Sequence, residues 1–303
     1  MSGAAKAPEA AESAPRSLPS RPALPHRWRV RLDTFLIYVI LVGVAVVMLF
    51  PGYWMIVTAL TETGKEMTYP PAFFPDPVAW NNFPDALAAA PFPIYLRNSL
   101  LIAVLATVGA LLTESMAGFA FARLRFPGRD FWFAICLALL MLPFVVTVIP
   151  RFIIFKELGM NGTLLPLIVP YWFGGTAFGV FLFRQFFRTL PMELDEAAKL
   201  DGAGHFRVWW SVILPQSGPV FVTLAILHFV WFWNDFMGPL IYLTRDEIKT
   251  LPLGVMRFFG QYTQDWNYMM ASALLMTLPI IVIVLVGQRY FQRGIATTGM
   301  GGR

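Results

Sequence analysis

Two ionisable side chains stand inside long apolar stretches of the sequence. Glu114 is the one charged residue between Arg97 and Arg123, and His228 lies in the charge-free run from Val208 to Asn234. A carboxyl and an imidazole are raw materials for acid–base chemistry, and an ionisable group in an apolar span is a functional candidate by default. Glu114 reads as a carboxyl hydrogen-bonded or protonated inside a helix bundle, or as a gate or coupling group. His228 reads as a hydrogen-bonded packing residue before it reads as a ligand. An intramembrane enzyme would need a nucleophile and base, or metal ligands, on facing helices, and no HExxH occurs. The single cysteine, Cys136, and three scattered histidines argue against a disulfide framework and a structural zinc site. There is no GxxxxGK[ST] phosphate loop, so ATP used by this protein must bind elsewhere. A proton-coupled carrier working through Glu114 stays open.

Aromatic side chains offer a second kind of chemistry. Tyr171, Trp172 and Phe173, and further on Trp231, Phe232 and Trp233 followed by Asn234 and Asp235, could line a path for a sugar, whose faces stack on aromatic rings. Tryptophan and tyrosine also belt membrane interfaces without touching any substrate, and both readings stand. A third cluster is ionic: Glu193, Asp195 and Glu196 crowd a segment bracketed by Pro191 and Pro215.

The elements that carry these residues must be apolar helices. The 303-residue chain is 57% hydrophobic and 14% charged, with a mean hydropathy of +0.61, too little polar surface to cover a soluble domain. Charge-free windows predict about six spans, at Thr34 to Thr61, Asn98 to Ala122, Phe131 to Pro150, Leu158 to Phe183, Val208 to Asn234 and Trp266 to Gln288. Each reaches the roughly 20 residues that a spanning helix needs. Prolines 143, 170 and 279 within spans are tolerated where a bundle satisfies the freed carbonyls, and read as bends rather than as sites. The net charge of +5 falls in blocks between the spans, as membrane anchors do, so nucleic acid is not an expected partner. Most of the 23 lysines and arginines lie before the first span, in the loop with Arg123, Arg125 and Arg129, in the loop with Arg184, Arg188, Lys199 and Arg207, and in the tail. The positive-inside rule then places both termini in the cytoplasm. Residues 1–30 read as a disordered cytoplasmic tail and residues 31–303 as the membrane domain. On the outer side, Glu62 to Arg97 and Asp235 to Asp265 are long enough to have structure of their own.

The acidic segment is expected to be a short helix outside the bilayer, at about residues 191–203. Pro191 suits a first turn, the acids favour the helix N-terminus, and Gly202 and Gly204 stop it. That leaves about three turns, too short to cross a membrane. Leu194, Ala197 and Ala198 share a face that another protein could approach closely; a solvated loop helix with an Asp195–Lys199 pair fits equally well.

The series Glu196, Ala197, Ala198, then Gly202, then Val212, Leu214 and Pro215 resembles the EAA loop of ATP-binding-cassette importer permeases, with valine for the usual isoleucine. The stretches Arg97-Asn98-Ser99-Leu100, Phe119 to Gly128, Arg184-Gln185-Phe186-Phe187, Trp233-Asn234-Asp235-Phe236 and Gln288-Arg289-Tyr290-Phe291 resemble the carbohydrate branch, in particular the maltose-transporter-like second permease subunit. The resemblance implies an all-α polytopic protein of the bacterial inner membrane that is not itself an enzyme. It implies a second permease subunit, two ATPase subunits that bind ATP and magnesium, and an extracytoplasmic solute-binding protein as partners. It further implies that Glu196, Ala197 and Ala198 dock in a cleft of the ATPase, with Gly202 returning the chain to the fifth span. The cargo it implies is a sugar or related polyol, with glycerol phosphate or another small polar solute as the alternative.

Overall fold

In the computed structural model the backbone is described for residues 26–260 and 265–299, and side chains for residues 34–260 and 265–288. The tail expected over residues 1–30 therefore lies almost wholly outside the described residues, as do the side chains of Arg289, Tyr290 and Phe291. Among the described residues fourteen α-helical segments follow in order: α1 His26–Ala59, α2 Asn82–Ala88, α3 Phe92–Arg123, α4 Arg129–Ala138, α5 Phe144–Glu157, α6 Val169–Trp172, α7 Ala177–Thr189, α8 Glu193–Leu200, α9 His205–Val208, α10 Leu214–Gln216, α11 Gly218–Trp233, α12 Met237–Tyr242, α13 Leu251–Val255 and α14 Trp266–Gly299. No strand occurs among the described residues, in accord with the all-α expectation.

Residues up to Tyr53 form one unit, made of most of α1, with apolar side chains from Phe35 to Phe50 about half exposed or more. The second unit, from Trp54 onward, is a bundle centred on α3. Among the described residues three helical stretches are long and apolar enough to cross a membrane, Thr34–Ala59, Phe92–Arg123 and Trp266–Gln288, or five if each of two bent pairs is one span. The exposed faces of α4, α5 and α14 carry large apolar residues such as Trp132, Val145, Ile149 and Leu285, the surface that lipid solvates.

Three expected spans are not straight helices. The third is bent by 102° between Met141 and Phe144, where Pro143 removes a backbone donor. The fifth is bent by 83° at Ser217, after a π-helical turn at Trp209–Ile213 that ends just before Leu214 and Pro215. The wider turn accommodates a proline ring that would crowd the carbonyl four residues back in an α-helix. The fourth, expected as Leu158 to Phe183, is not one helix: residues 159–163 form turns, and the chain breaks again between Trp172 and Ala177, where Gly175 has φ +58°. Two glycines and a left-handed turn end α6, and Thr176 caps α7 by accepting from the Gly179 N–H.

The segments outside the spans are pinned by side-chain amides. Asn82 donates to the carbonyls of Ala59 and Thr61, at 2.9 and 2.7 Å, and Asn267 donates to the Thr63 hydroxyl. Asn98 donates to the carbonyls of Glu247 and Lys249, and Ser99 accepts from the Leu251 N–H. The outer segment from Asp235 is thus packed onto α3, with Tyr242, Leu243, Leu251 and Phe258 buried. Its rim, Thr244 to Glu247, remains exposed, and hydrogen bonding from Lys249 holds the Asp246 carboxyl below the usual carboxylate range.

Candidate functional site

Helix α8 spans eight residues, about two turns rather than three, because the chain enters it through Met192 and Pro191 lies outside. Its acidic first turn suits the positive end of the helix dipole. It ends in a Schellman turn: the Ala203 N–H bonds the Ala198 carbonyl at 2.9 Å, the Gly202 N–H bonds the Lys199 carbonyl at 3.0 Å, and Gly202 has φ +78°. A Cβ on Gly202 would meet nothing within 4 Å, so backbone conformation alone demands glycine here. Gly202→Val is expected to cost about 1–2 kcal/mol, the scale of forcing an L-residue into the left-handed region, and more than Gly202→Ala. Thermal unfolding of the two variants in detergent checks the order; equal midpoints for Val, Ala and wild type would contradict it.

What fixes α8 to the membrane helices is Arg123, the last residue of α3. Sequence reading placed it among loop charges, but its side chain is buried. Its guanidinium donates to the Leu190 carbonyl at 2.8 Å and the Pro191 carbonyl at 3.4 Å, touches the Met192 sulfur, and stands 3.7 Å from the Asp195 carboxylate. Asp195 is 2% exposed, so the Asp195–Lys199 alternative gives way to a buried pair with Arg123. On the same side, Ala198, Ala203 and Leu214 rest on the cluster of Phe119, Phe183, Phe187, Val208, Trp209, Ile213 and Leu224. Pro215 is exposed in α10, just after the π-helical turn. Glu196 and Ala197 point outward and are exposed, beside Leu200 at 90% exposure. The face expected to hold Leu194, Ala197 and Ala198 together is therefore divided: Ala198 packs inward and Ala197 faces out.

The pathway candidates separate in the same way. Tyr171 stacks at a tilt on Phe232, with ring centroids 4.4 Å apart, and Trp172 lies over Gly109 and donates from Nε1 to the Leu105 carbonyl. Trp231 is 65% exposed. Trp233 is buried in the core, its Nε1 donating to the Met276 carbonyl, so it serves packing. Asn234 donates to the Val230 carbonyl at the end of α11, and Asp235 accepts from the Gly238 N–H beside α12, so both act as caps. Glu114 and His228, considered one by one in the sequence, meet in the bundle: Glu114 Oε2 and His228 Nε2 are 2.8 Å apart, and both residues are buried.

Among the described residues no group of histidine, cysteine, aspartate and glutamate is placed to hold a metal ion. Comparison with known proteins gives the geometry its context. The family described as binding-protein-dependent transport system inner membrane component matches residues 114–297, more than half of the chain. The sn-glycerol-3-phosphate transport system permease protein UgpE of Yersinia enterocolitica is 34% identical over 273 residues, 87% of this chain and 96% of that protein. The probable ABC transporter permease protein YurM of Bacillus subtilis is 30% identical over 282 residues, 91% of each. Among solved structures, a bacterial ABC transporter involved in the import of the acidic polysaccharide alginate superposes with a TM-score of 0.74 at 20% identity, covering 89% of this chain and 100% of that one. That likeness carries the fold, and the family match and sequence relatives carry the role. The chain belongs to the family of binding-protein-dependent transport system inner membrane components and is a transmembrane permease subunit of an importer.

Proposed function

We propose that this permease subunit imports a sugar, a polyol or a phosphate ester of one, and that α8 couples it to a separate ATPase. The observation that carries the coupling role is the division of α8. Its inner side is held to α3 by Arg123, which donates to the Leu190 and Pro191 carbonyls leading into it and faces the Asp195 carboxylate at 3.7 Å, while Glu196, Ala197 and Leu200 are presented outward. A short helix held that rigidly passes a displacement on to α3 and α7 as a rigid body, where a loose loop would absorb it. Two ATPase subunits supply the ATP and magnesium sites, and a second permease subunit completes the membrane channel. With α8 in the cytoplasm both termini lie there too, in keeping with the distribution of lysine and arginine. At the opposite end, the exposed rim from Thr244 to Glu247 faces the solute-binding protein.

The relative named for sn-glycerol-3-phosphate transport is named for a small polyol phosphate, which supports this cargo class. Proteoliposomes holding the complete complex and its cognate binding protein, offered radiolabelled hexoses, disaccharides, polyols and glycerol phosphate, test the assignment. ATP-dependent uptake of one of these is expected. Uptake confined to amino acids, peptides or metal ions would overturn the cargo class.

A further inference from the structure

Glu114 occupies a seat cut to its shape. Its Oε1 accepts from the backbone N–H of Thr176 at 2.7 Å and from the Thr176 hydroxyl at 2.8 Å, and its Oε2 faces His228 Nε2 at 2.8 Å. The Thr176 oxygen itself accepts from Gly179, which leaves its hydrogen for Glu114. A Cβ at Gly175 or at Gly179 would run into the Glu114 side chain, so both glycines clear its place. Three elements that are distant in sequence are fastened at this point: α3, the break between α6 and α7, and α11. Among the described residues no salt bridge other than Glu114–His228 is made at the site. On α3 the next charges are Arg97 and Arg123 at its ends, on α7 they are Arg184 and Arg188, two turns or more away, and α11 carries only His228. Tyr171 on α6, whose carbonyl accepts from Thr113 beside Glu114, is a further titratable side chain, and it in turn faces Asp235, Arg151 and Tyr242.

We propose that Glu114 and His228 form a one-proton latch that holds the break between α6 and α7 closed against α3 and α11, positioning this segment for transport. With one proton on the pair, an imidazolium faces a carboxylate and the site is neutral overall, the arrangement an apolar interior tolerates. A second proton, placed on Oε2, sets two hydrogens facing each other and leaves a net positive charge. Loss of the first, from Nε2 or Nδ1 to solvent, leaves an uncompensated carboxylate inside the span, which is costly. Either change favours opening of the break, where Gly174 and Gly175 supply the freedom to move. Trp172 and Thr113 keep α6 fastened to α3, through the Leu105 and Tyr171 carbonyls, so motion concentrates at residues 173–176. The use of this latch in transport rests on the importer reading; the latch itself does not.

The test uses the full chain in lipid nanodiscs, in a Cys136→Ser background, with nitroxide labels at Phe173 and Leu227, which are 85% and 43% exposed. In the wild-type sequence the distance distribution is expected to be narrow at intermediate pH and to broaden toward both acid and alkaline extremes. In Glu114→Gln the amide keeps the bonds with Thr176 and donates to a neutral imidazole, so the alkaline broadening is lost. In His228→Gln the donor remains but the shared proton does not, so the distribution narrows only as pH falls. Identical distributions in all three proteins at every pH, or the same pH profile in all three, would overturn the latch. The measurement needs no cargo, binding protein or ATPase, so a failure of solute uptake would count against the importer reading and leave the latch standing.

Discussion

Arg123→Ala is expected to destabilise the protein by about 3–5 kcal/mol, the range for removing one partner of a buried ion pair. The loss is large because the guanidinium serves four groups at once: the carbonyls of Leu190 and Pro191, the Met192 sulfur and the Asp195 carboxylate. Without it, Asp195 is left charged and 2% exposed, and the turn leading into α8 loses its donors. Arg123→Lys is expected to rescue little, since a single ammonium cannot reproduce the planar fork that reaches both carbonyls. The double variant Arg123→Ala/Asp195→Ala is expected to regain part of the loss by removing the stranded carboxylate. Thermal unfolding in detergent, together with limited proteolysis between residues 190 and 204, reads the effect. A wild-type midpoint and an uncut α8 in Arg123→Ala would contradict it.

Glu196→Ala is expected to leave folding unchanged and to weaken ATPase docking by about 2–5 kcal/mol, the range for truncating a hydrogen-bonded charge pair at an interface. The two carboxylates one residue apart are thereby given opposite behaviour. Asp195 is buried against α3 and is expected to act on stability, whereas Glu196 is exposed and, on the coupling proposal, is expected to act on assembly. Binding of the purified ATPase to permease in nanodiscs, with the unfolding midpoint measured in parallel, separates the two. A Glu196→Ala protein that binds ATPase with wild-type affinity would remove Glu196 from the interface.

The sequence made the helices legible and concealed how they meet. Spans stand out because a window without charge is visible locally, and the bend at Pro143 follows from a missing backbone donor. The break at residues 173–176 was hidden inside the apolar window from Leu158 to Phe183, because glycines and a left-handed turn interrupt a helix without adding any charge. α8 was visible from its acids and Gly202, but its start was placed too early, since Pro191 is also compatible with a first turn. Neither buried pair was legible: Arg123 and Asp195 belong to different loops by charge pattern, and Glu114 and His228 are 114 residues apart. The glycines at 175 and 179 were the one trace of the carboxylate's seat, and their meaning depends on what approaches them in space.

Coupling through the outward face of α8 is tested most directly by site-specific cross-linking. A photoreactive residue at Ala197, which is exposed beside Glu196, would be irradiated in the reconstituted importer with and without ATP. The expected product joins this chain to the ATPase subunit, and the same residue placed at half-buried Ala198 gives little or none. Cross-links from Ala197 to the second permease or to lipid, with none to the ATPase in any nucleotide state, would contradict the coupling role of α8.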